Sequence, residues 1–258
     1  MNSKKITNMF KNSLVSEIPD ALNIVLCPFA GGSSGSFRNW FLQKKNNANI
    51  FLATYPGREH RMNESFANCI EDLAKELIDN IYSANLNLKN TVLVGHSMGA
   101  QVAYEACKIL EVKNTPPAGI VISACHAPHL QGHRLLSHLD DNSFIQQLVK
   151  IGGISEELLR DSVFLKIFLP MLRADFQTTE SYCHPISSTK QKLSTPALLI
   201  YGSKDQEASK EEVASWSEWL YKSSEPVEMS GEHFYITQQP QIFINHILSN
   251  NNWRQYYE

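Results

Sequence analysis

The chain has 258 residues, of which 43% are hydrophobic and 19% charged, and its formal net charge is −3. This composition is typical of a globular protein with a substantial core, and it excludes a disordered chain. The near-neutral charge gives no support to a nucleic-acid or anionic-membrane partner. The five cysteines form no CxxC pair, so we expect buried thiols in a reducing compartment rather than disulfides or a zinc site. Residues 1–20 lack the apolar run of a signal peptide and no segment is apolar enough to span a membrane, so a cytoplasmic location is expected.

Short apolar runs recur along the chain and predict strands. They lie at residues 22–29, 50–55, 91–95, 119–124, 197–201 and, more weakly, 225–229. The runs are continuously apolar, which favours strands covered on both faces.

The segments between these runs have apolar residues at helical spacing. One apolar face is predicted for Phe66, Ile70, Leu73, Leu77 and Ile81. After residue 97, Met98, Val102 and Ala106 form a buried stripe, and a solvent-facing stripe is predicted for Gln101, Glu105 and Lys108. Strands that alternate with helices predict an α/β fold with a mostly parallel central sheet flanked by helices.

Residues 127–192 interrupt this alternation. A short helix is predicted around Phe144, Ile145, Leu148 and Val149, with an interruption at Gly152 and Gly153. Another helix could begin at Ser155, and residues 163–172 are strongly apolar. We therefore predict a single domain, 1–258, with a helical lid inserted at about 127–192. This stretch is called the lid segment below.

The pentapeptide GHSMG at residues 95–99 carries the strongest chemical signal. It follows an apolar strand and opens a helix, which is the context of the G-x-S-x-G nucleophile elbow of α/β-hydrolases. Ser97 is the predicted nucleophile. The N–H of Met98, directly after it, is a predicted donor to the oxyanion.

A serine nucleophile needs a base and an acid, which follow it in that fold in the order Ser, acid, His. His233 follows the last predicted strand and is the preferred base, whereas His246 lies in a predicted helix, 241–248. Asp205 follows the preceding strand and is the preferred acid. Glu207 lies close by and is expected to face solvent. Asp175 is the competing acid, because residues 173–176 are predicted to end the lid segment.

The second oxyanion donor is expected from the turn CPFAGGS at residues 27–33. Ala30 is the preferred residue and Phe29 the alternative. A phosphate-binding loop would also use such glycines, but this turn lacks the Lys-Ser/Thr ending of a P-loop and the spacing of a dinucleotide fingerprint. No cofactor is therefore expected.

Four histidines, at positions 126, 129, 133 and 138, form a cluster with loosely metal-like spacing. No carboxylate or cysteine pattern accompanies them, so we expect exposed loop histidines and no metal site.

Several motifs occur together in an order that is specific to one family. They are CPFAGGS at 27–33, YPGRE at 55–59 followed by Arg61, GHSMGA at 95–100, RADF at 173–176 and GEHFY at 231–235. The chain resembles the type II thioesterases of nonribosomal peptide and polyketide assembly lines over residues 24–246. It departs from their G-G-H-F-F motif at Glu232, which replaces the second glycine.

The resemblance implies the same Ser97, Asp205 and His233 triad and a helical lid. It also implies a partner, the carrier protein that bears phosphopantetheine, and an editing role in which stalled or incorrect acyl groups are hydrolysed from carrier thiols. A monomer is expected.

Three other functions share part of this sequence pattern. A general carboxylesterase or lipase would use the same triad but would not share the PGRE and RADF segments. A non-catalytic binding module on a hydrolase scaffold is disfavoured by the complete triad. A product-releasing cyclase is normally fused to a synthase, whereas this chain stands alone.

Overall fold

Among the residues that the computed structural model describes, 8–13, 21–42, 48–153, 161–186 and 192–254, six strands form one parallel sheet. They are β1 (Leu22–Cys27), β2 (Ala48–Leu52), β3 (Thr91–His96), β4 (Gly119–Ser123), β5 (Ala197–Gly202) and β6 (Val227–Met229). Each overlaps a strand predicted from an apolar run, so the α/β prediction is confirmed, and every pair of neighbouring strands is parallel.

Both faces of the sheet are buried, as the continuously apolar strands indicated. Along β1, Val25 and Cys27 belong to one hydrophobic core, while Ile24 and Leu26 belong to a second core on the opposite face. Successive side chains of a strand point to opposite faces, so both can be buried only where helices cover the two sides.

Different helices cover the two faces of the sheet. On the first face lie α2 (Ile70–Ser83) and α3 (Met98–Val112), which contribute their apolar stripes to the core. On the second face lie α1 (Arg38–Phe41), α8 (Pro240–Leu248) and α9 (Asn251–Arg254). Trp40, Phe243 and Trp253 fill the core there, and each is fully buried. The short helices α6 (Lys210–Ala214) and α7 (Tyr235–Gln238) follow β5 and β6.

Two predictions about helix faces are wrong. Phe66 precedes α2 instead of lying on its apolar face, and it is 37% exposed. Gln101 and Glu105, expected to face solvent from α3, are 2% and 1% exposed. They are buried because Thr179 and Tyr182, at and just beyond the end of the helix Ser162–Glu180 in the lid segment, cover α3 and donate hydrogen bonds of 2.7 Å to these two side chains.

Among its described residues, the lid segment contains two helices and no strand. Helix α4 (Asp141–Ile151) begins after Asp140, whose side chain accepts hydrogen bonds from the backbone of the first turn, and it ends at Gly152, where φ is 80°. The helix suggested from Ser155 lies outside the described residues.

The second helix of the lid segment is α5 (Ser162–Glu180). The RADF motif at 173–176 was expected to end the lid segment, but it lies inside this helix, which continues for another turn. The two helices share a small hydrophobic core of their own, formed by Leu136, Phe144, Leu148, Leu169, Met171 and Leu172.

The strand order is β2-β1-β3-β4-β5-β6, so the chain reverses its direction across the sheet after β2. Ligands of open α/β sheets bind at the carboxyl edge, where such a reversal separates the loops of neighbouring strands. At this edge the loop after β1 lies beside the turn after β3, and the loops after β5 and β6 open toward the same side.

All five cysteines are unpaired. Cys27, Cys107 and Cys125 are buried as expected, but Cys69 is half-buried and Cys183 is exposed. Within the described part of the chain, no helix combines the length and the apolar character needed to cross a membrane.

Candidate active site

Ser97 occupies the sharp turn between β3 and α3, with φ 55° and ψ −125°. A non-glycine residue in such a conformation costs about 1–3 kcal/mol, and strain of this kind concentrates at functional sites. The flanking glycines are sterically required. A side chain at Gly95 would overlap the backbone of α3, and one at Gly99 would overlap the carbonyl of Cys27. The turn places Ser97 at the amino end of α3, where the first helical N–H is that of Met98.

Asp205 and His233 are brought together by the loops after β5 and β6. The Nδ1 atom of His233 lies 2.9 Å and 3.1 Å from the two carboxylate oxygens of Asp205. An ionised carboxylate only accepts hydrogen bonds, so Nδ1 carries the proton. In the neutral ring Nε2 is then unprotonated, which is the tautomer that a general base needs.

The carboxylate of Asp205 is kept ionised by its hydrogen bonds. Its side chain is fully buried, and this burial acts to raise the pKa. The hydrogen bond from His233, together with one of 2.8 Å from the backbone N–H of Glu207, acts in the opposite direction and outweighs the burial. The pKa of Asp205 therefore lies below its ordinary value, and the group is negatively charged at neutral pH.

Ser97, Met98 and His233 line one cavity of about 100 Å³ at the carboxyl edge of the sheet. Arg134 and Glu207 line it as well and form an ion pair of 2.9 Å. The expectation that Glu207 faces solvent is therefore wrong, because Arg134 of the lid segment holds its side chain at the cavity.

Three N–H groups of the turn after β1 are already engaged. The N–H of Gly31, where φ is 77°, donates to Asp175 at 2.7 Å, and the N–H of Gly32 donates to the carbonyl of Phe29 at 2.8 Å. The N–H of Ser33 donates to the hydroxyl of Ser36 at 3.3 Å. A donor to an oxyanion from this turn must be another N–H, which leaves Ala30 and Phe29 as candidates.

Asp175 is held away from the His233 pair by a buried network. Its side chain forms an ion pair of 2.7 Å with Arg58, and the two side chains are 9% and 4% exposed. Arg58 also donates to the carbonyl of Gly32 and lies over the ring of Tyr55. The PGRE and RADF motifs thus meet at the turn after β1. Asp175 contacts this turn, and it is Asp205 that contacts His233.

An apolar chamber of about 250 Å³ lies next to the same turn. The side chains around it come from both helices of the lid segment and from the loops after β1 and β6. Its large apolar residues are Phe29, Leu148, Ile151, Phe164, Phe168, Leu172, Phe176 and Phe234. Phe176 lines both this chamber and the cavity at Ser97.

The histidine cluster of the lid segment is dispersed in the structure. Trp219 donates to Nδ1 of His129 at 2.9 Å, and His133 contacts Glu212. His133 and His138 are exposed as expected, but His126 and His129 are half-buried.

A different group brings possible metal ligands together among the described residues, namely Glu71, Glu105 and His184. Its central carboxylate is already engaged, because Glu105 accepts a hydrogen bond from Tyr182 and pairs with the ammonium of Lys108. The positive charge of Lys108 therefore already compensates the carboxylate of Glu105.

Residues 23–250 match the family described as thioesterase domain. The chain belongs to the thioesterase family. It is 44% identical over 237 residues to the probable anguibactin biosynthesis thioesterase AngT of Vibrio anguillarum, and the match covers 92% of this chain and 94% of AngT.

Two solved structures resemble this thioesterase over most of its length. YbtT, a type II thioesterase from the yersiniabactin NRPS/PKS biosynthetic pathway, superposes with a TM-score of 0.88 at 40% identity, covering 95% of this chain and 97% of YbtT. RedJ, a thioesterase from the prodiginine pathway of Streptomyces coelicolor, gives a TM-score of 0.79 at 28% identity, covering 88% and 89% of the two chains. The resemblance found in the motifs and the α/β-hydrolase fold are confirmed, and the protein is a hydrolase of thioesters.

Three residues of this thioesterase were given no role by the sequence, although two of them lie in its motifs. Arg58 is the arginine of PGRE and His96 is the histidine of GHSMG. Ser123 ends β4 and contacts His96. The signals that could have found them are a cation within a motif and a polar residue at the end of a buried strand. Their partners are distant in sequence, so the partnerships were not visible.

Proposed function

We propose that this thioesterase is a standalone type II enzyme that hydrolyses stalled or incorrect acyl groups from the phosphopantetheine arms of carrier proteins in nonribosomal peptide or polyketide biosynthesis. One observation carries the proposal: His233, which is hydrogen-bonded to the buried Asp205, lines the same cavity as the strained Ser97. Similarity to AngT and YbtT over nearly the full length of the chain supports the biosynthetic setting.

In the first half of the reaction, Nε2 of His233 takes the proton of the Ser97 hydroxyl while the oxygen attacks the thioester carbonyl carbon. The carbon–sulfur bond then breaks, and the leaving thiolate receives the proton from His233. This yields a free phosphopantetheine thiol and an acyl-serine. Asp205 stays ionised throughout and stabilises the imidazolium by its hydrogen bond to Nδ1.

The negative oxygen of the tetrahedral intermediate needs two N–H donors. We assign them to Met98, at the amino end of α3, and to Ala30, with Phe29 as the alternative. The helix end contributes a partial positive charge, and preorganised donors of this kind are worth about 10²–10³ in kcat each.

In the second half, a water molecule attacks the acyl-serine and passes a proton to His233. The ester bond breaks, the serine oxygen regains that proton, and the carboxylic acid leaves. Both halves use the same base and the same oxyanion donors, so one site performs the whole hydrolysis.

The apolar chamber is assigned to the acyl group. Aromatic and aliphatic side chains surround it, and it adjoins the turn that carries Ala30. We assign the lid segment, 127–192, as a cover over this chamber within a single domain, because α4 and α5 supply Leu148, Phe164 and Phe168 to its wall. A cytoplasmic monomer with no metal or cofactor remains our prediction.

The deciding experiment is mass spectrometry of acyl-loaded carrier proteins incubated with the enzyme. The proposal predicts loss of the acyl mass with the wild type and its retention with Ser97→Ala. The same acyl groups are offered as oxygen esters and as thioesters of a small thiol. A kcat/KM for simple esters above that for acyl carriers would favour a carboxylesterase. A folded wild type that hydrolyses none of these substrates and resists fluorophosphonate labelling would be a binding module.

A further inference from the structure

His96 is the last residue of β3 and lies directly before Ser97, with its side chain fully buried. Its Nε2 atom lies 2.8 Å from the backbone carbonyl oxygen of His233. Its Nδ1 atom lies 2.8 Å from Oγ of Ser123, and that hydroxyl lies 2.6 Å from the hydroxyl of Tyr235. The four residues form a continuous chain of hydrogen bonds beneath the site.

The direction of this chain follows from the carbonyl at its end. A carbonyl only accepts, so Nε2 of His96 carries the proton and donates. In the neutral ring Nδ1 is then an acceptor, and Ser123 must donate to it. Because the Ser123 proton is used there, the Ser123 oxygen accepts at 2.6 Å from the hydroxyl of Tyr235, whose single proton also has the carbonyl oxygen of Ile200 within reach at 3.1 Å.

The imidazole of His96 is held in its uncharged form. Burial, together with the neighbouring His233, lowers its pKa to about 3. Edge-on contacts with the rings of Phe29 and Tyr235 enclose it on two sides. His96 therefore offers one donor and one acceptor at all pH values near neutrality, and it places no charge beside the imidazolium that forms on His233.

We propose that His96 is a positioning residue for the base, His233. His96 holds the backbone carbonyl of His233, while Asp205 holds its imidazole ring. The inference rests on the proposed function, in which His233 moves the protons. One bond to Nδ1 leaves the ring free to swing about the loop after β6. A second bond, to the carbonyl of the same residue, fixes the loop against the strand that carries Ser97. Base and nucleophile are thereby tied to one rigid element.

Only an uncharged side chain with a donor of this reach can take the place of His96. Glutamine can present an N–H toward the His233 carbonyl, whereas leucine fills the space and donates nothing. The informative variants are therefore His96→Gln and His96→Leu. Thr91→Val is the matched control, because Thr91 lies on the same strand, is fully buried and donates a hydrogen bond of 2.7 Å to the carbonyl of Asn87 at the opposite end of the sheet.

The variants are compared by kcat and KM on an acyl carrier, at a temperature well below the lowest midpoint of thermal unfolding. We expect His96→Leu to lower kcat by about 10²-fold, as small misplacements of a catalytic group do, with KM unchanged. His96→Gln should recover most of the loss, and Thr91→Val should keep the wild-type kcat even where it lowers the melting temperature. Full kcat in His96→Leu, or equal losses in His96→Leu and His96→Gln, would overturn the role of His96.

A second measurement does not depend on turnover or on any variant folding. The ¹⁵N chemical shifts of the His96 ring in the wild type are expected to report a neutral ring with its proton on Nε2 from about pH 8 to about pH 5, because the protonated form is disfavoured by burial. A proton on Nδ1 would reverse the direction of the chain of hydrogen bonds and overturn the inference. An inactive wild type would instead refute the proposed function, so the two failures are distinguishable.

Discussion

Arg58 and Asp175 form a buried ion pair of 2.7 Å that joins the loop after β2 to the middle of the lid helix α5. The same two side chains hold the turn after β1, since Asp175 accepts from the N–H of Gly31 and Arg58 donates to the carbonyl of Gly32. The turn that supplies the proposed oxyanion donor is therefore fixed by residues from two distant segments.

We expect Asp175→Asn to lower kcat by about 10–10²-fold, because the amide cannot serve both Arg58 and Gly31 as the carboxylate does and the turn after β1 loosens. It should also lower stability by about 3–5 kcal/mol, since Arg58 is left buried without a counter-charge. Steady-state kinetics and thermal unfolding measure the two effects. Asp141→Asn, which breaks the exposed ion pair with Arg173, is the control and should change neither.

Ser97→Ala should abolish thioester hydrolysis and leave the fold intact, because the nucleophile is lost while the strained turn is retained. Loss of a triad member costs about 10⁴-fold or more. Fluorophosphonate labelling, followed by mass spectrometry, should modify the wild type at Ser97 and leave the variant unmodified. Near-normal turnover by a well-folded variant would refute the assignment.

Asp205→Asn should slow turnover by about 10⁴-fold, because an amide at this position favours the wrong tautomer of His233. Glu207→Gln is the matched comparison. Glu207 lies two residues away and lines the cavity at Ser97, but it pairs with Arg134 and not with His233. Glu207→Gln should lower kcat far less than Asp205→Asn does. A larger loss of kcat in Glu207→Gln would assign the role of the acid to Glu207 instead.

Buried, neutral His96 predicts a loss of stability on acidification. Its pKa is about 3 in the folded chain against an ordinary value of 6.5, so only the unfolded chain takes up this proton between those values. Above pH 6.5 the ring is neutral in both states, and this group does not alter the free energy of unfolding. Below pH 6.5 the free energy of unfolding falls by up to about 1.4 kcal/mol per pH unit. Around the ring, His233 disfavours the protonated form and Asp205 favours it.

Denaturant unfolding from about pH 7 to about pH 4.5 tests this in the window above the ordinary pKa of aspartate, because carboxylates add their own dependence below it. The free energy of unfolding of His96→Gln should fall less steeply than that of the wild type. Parallel curves for the two proteins would count against a buried neutral imidazole at this position.

Phe168→Ala should shift the preference toward longer acyl groups, because the ring of Phe168 limits the apolar chamber. Each additional methylene that the chamber accepts is worth about 0.8 kcal/mol, or about fourfold in kcat/KM. Competition between acetyl and longer acyl carriers measures the ratio. Ile167→Ala, at an exposed position of the same helix, should leave it unchanged, and an unchanged ratio in Phe168→Ala would remove the chamber from the acyl site.

The sequence predicted those features whose signal is local. The strands are continuous apolar runs, and the elbow is a five-residue pattern in which Gly95 and Gly99 are required by clashes with nearby backbone. Asp205 and His233 were found because each follows its strand directly, and parallel strands bring their carboxyl ends to one edge. Family motifs added the thioester chemistry, which these local patterns do not specify.

Only the tertiary structure decided which polar residues meet. Asp175 stands 117 positions from Arg58, and His96 stands 137 positions from the His233 carbonyl that it holds. Helical spacing wrongly placed Gln101 at the solvent, since periodicity on α3 carries no information about the later helix that covers it. A local pattern determines the shape of an element and the side of it that is apolar. The partner of a buried polar group is determined by the packing of distant segments, because its hydrogen bonds must be satisfied wherever the fold encloses it.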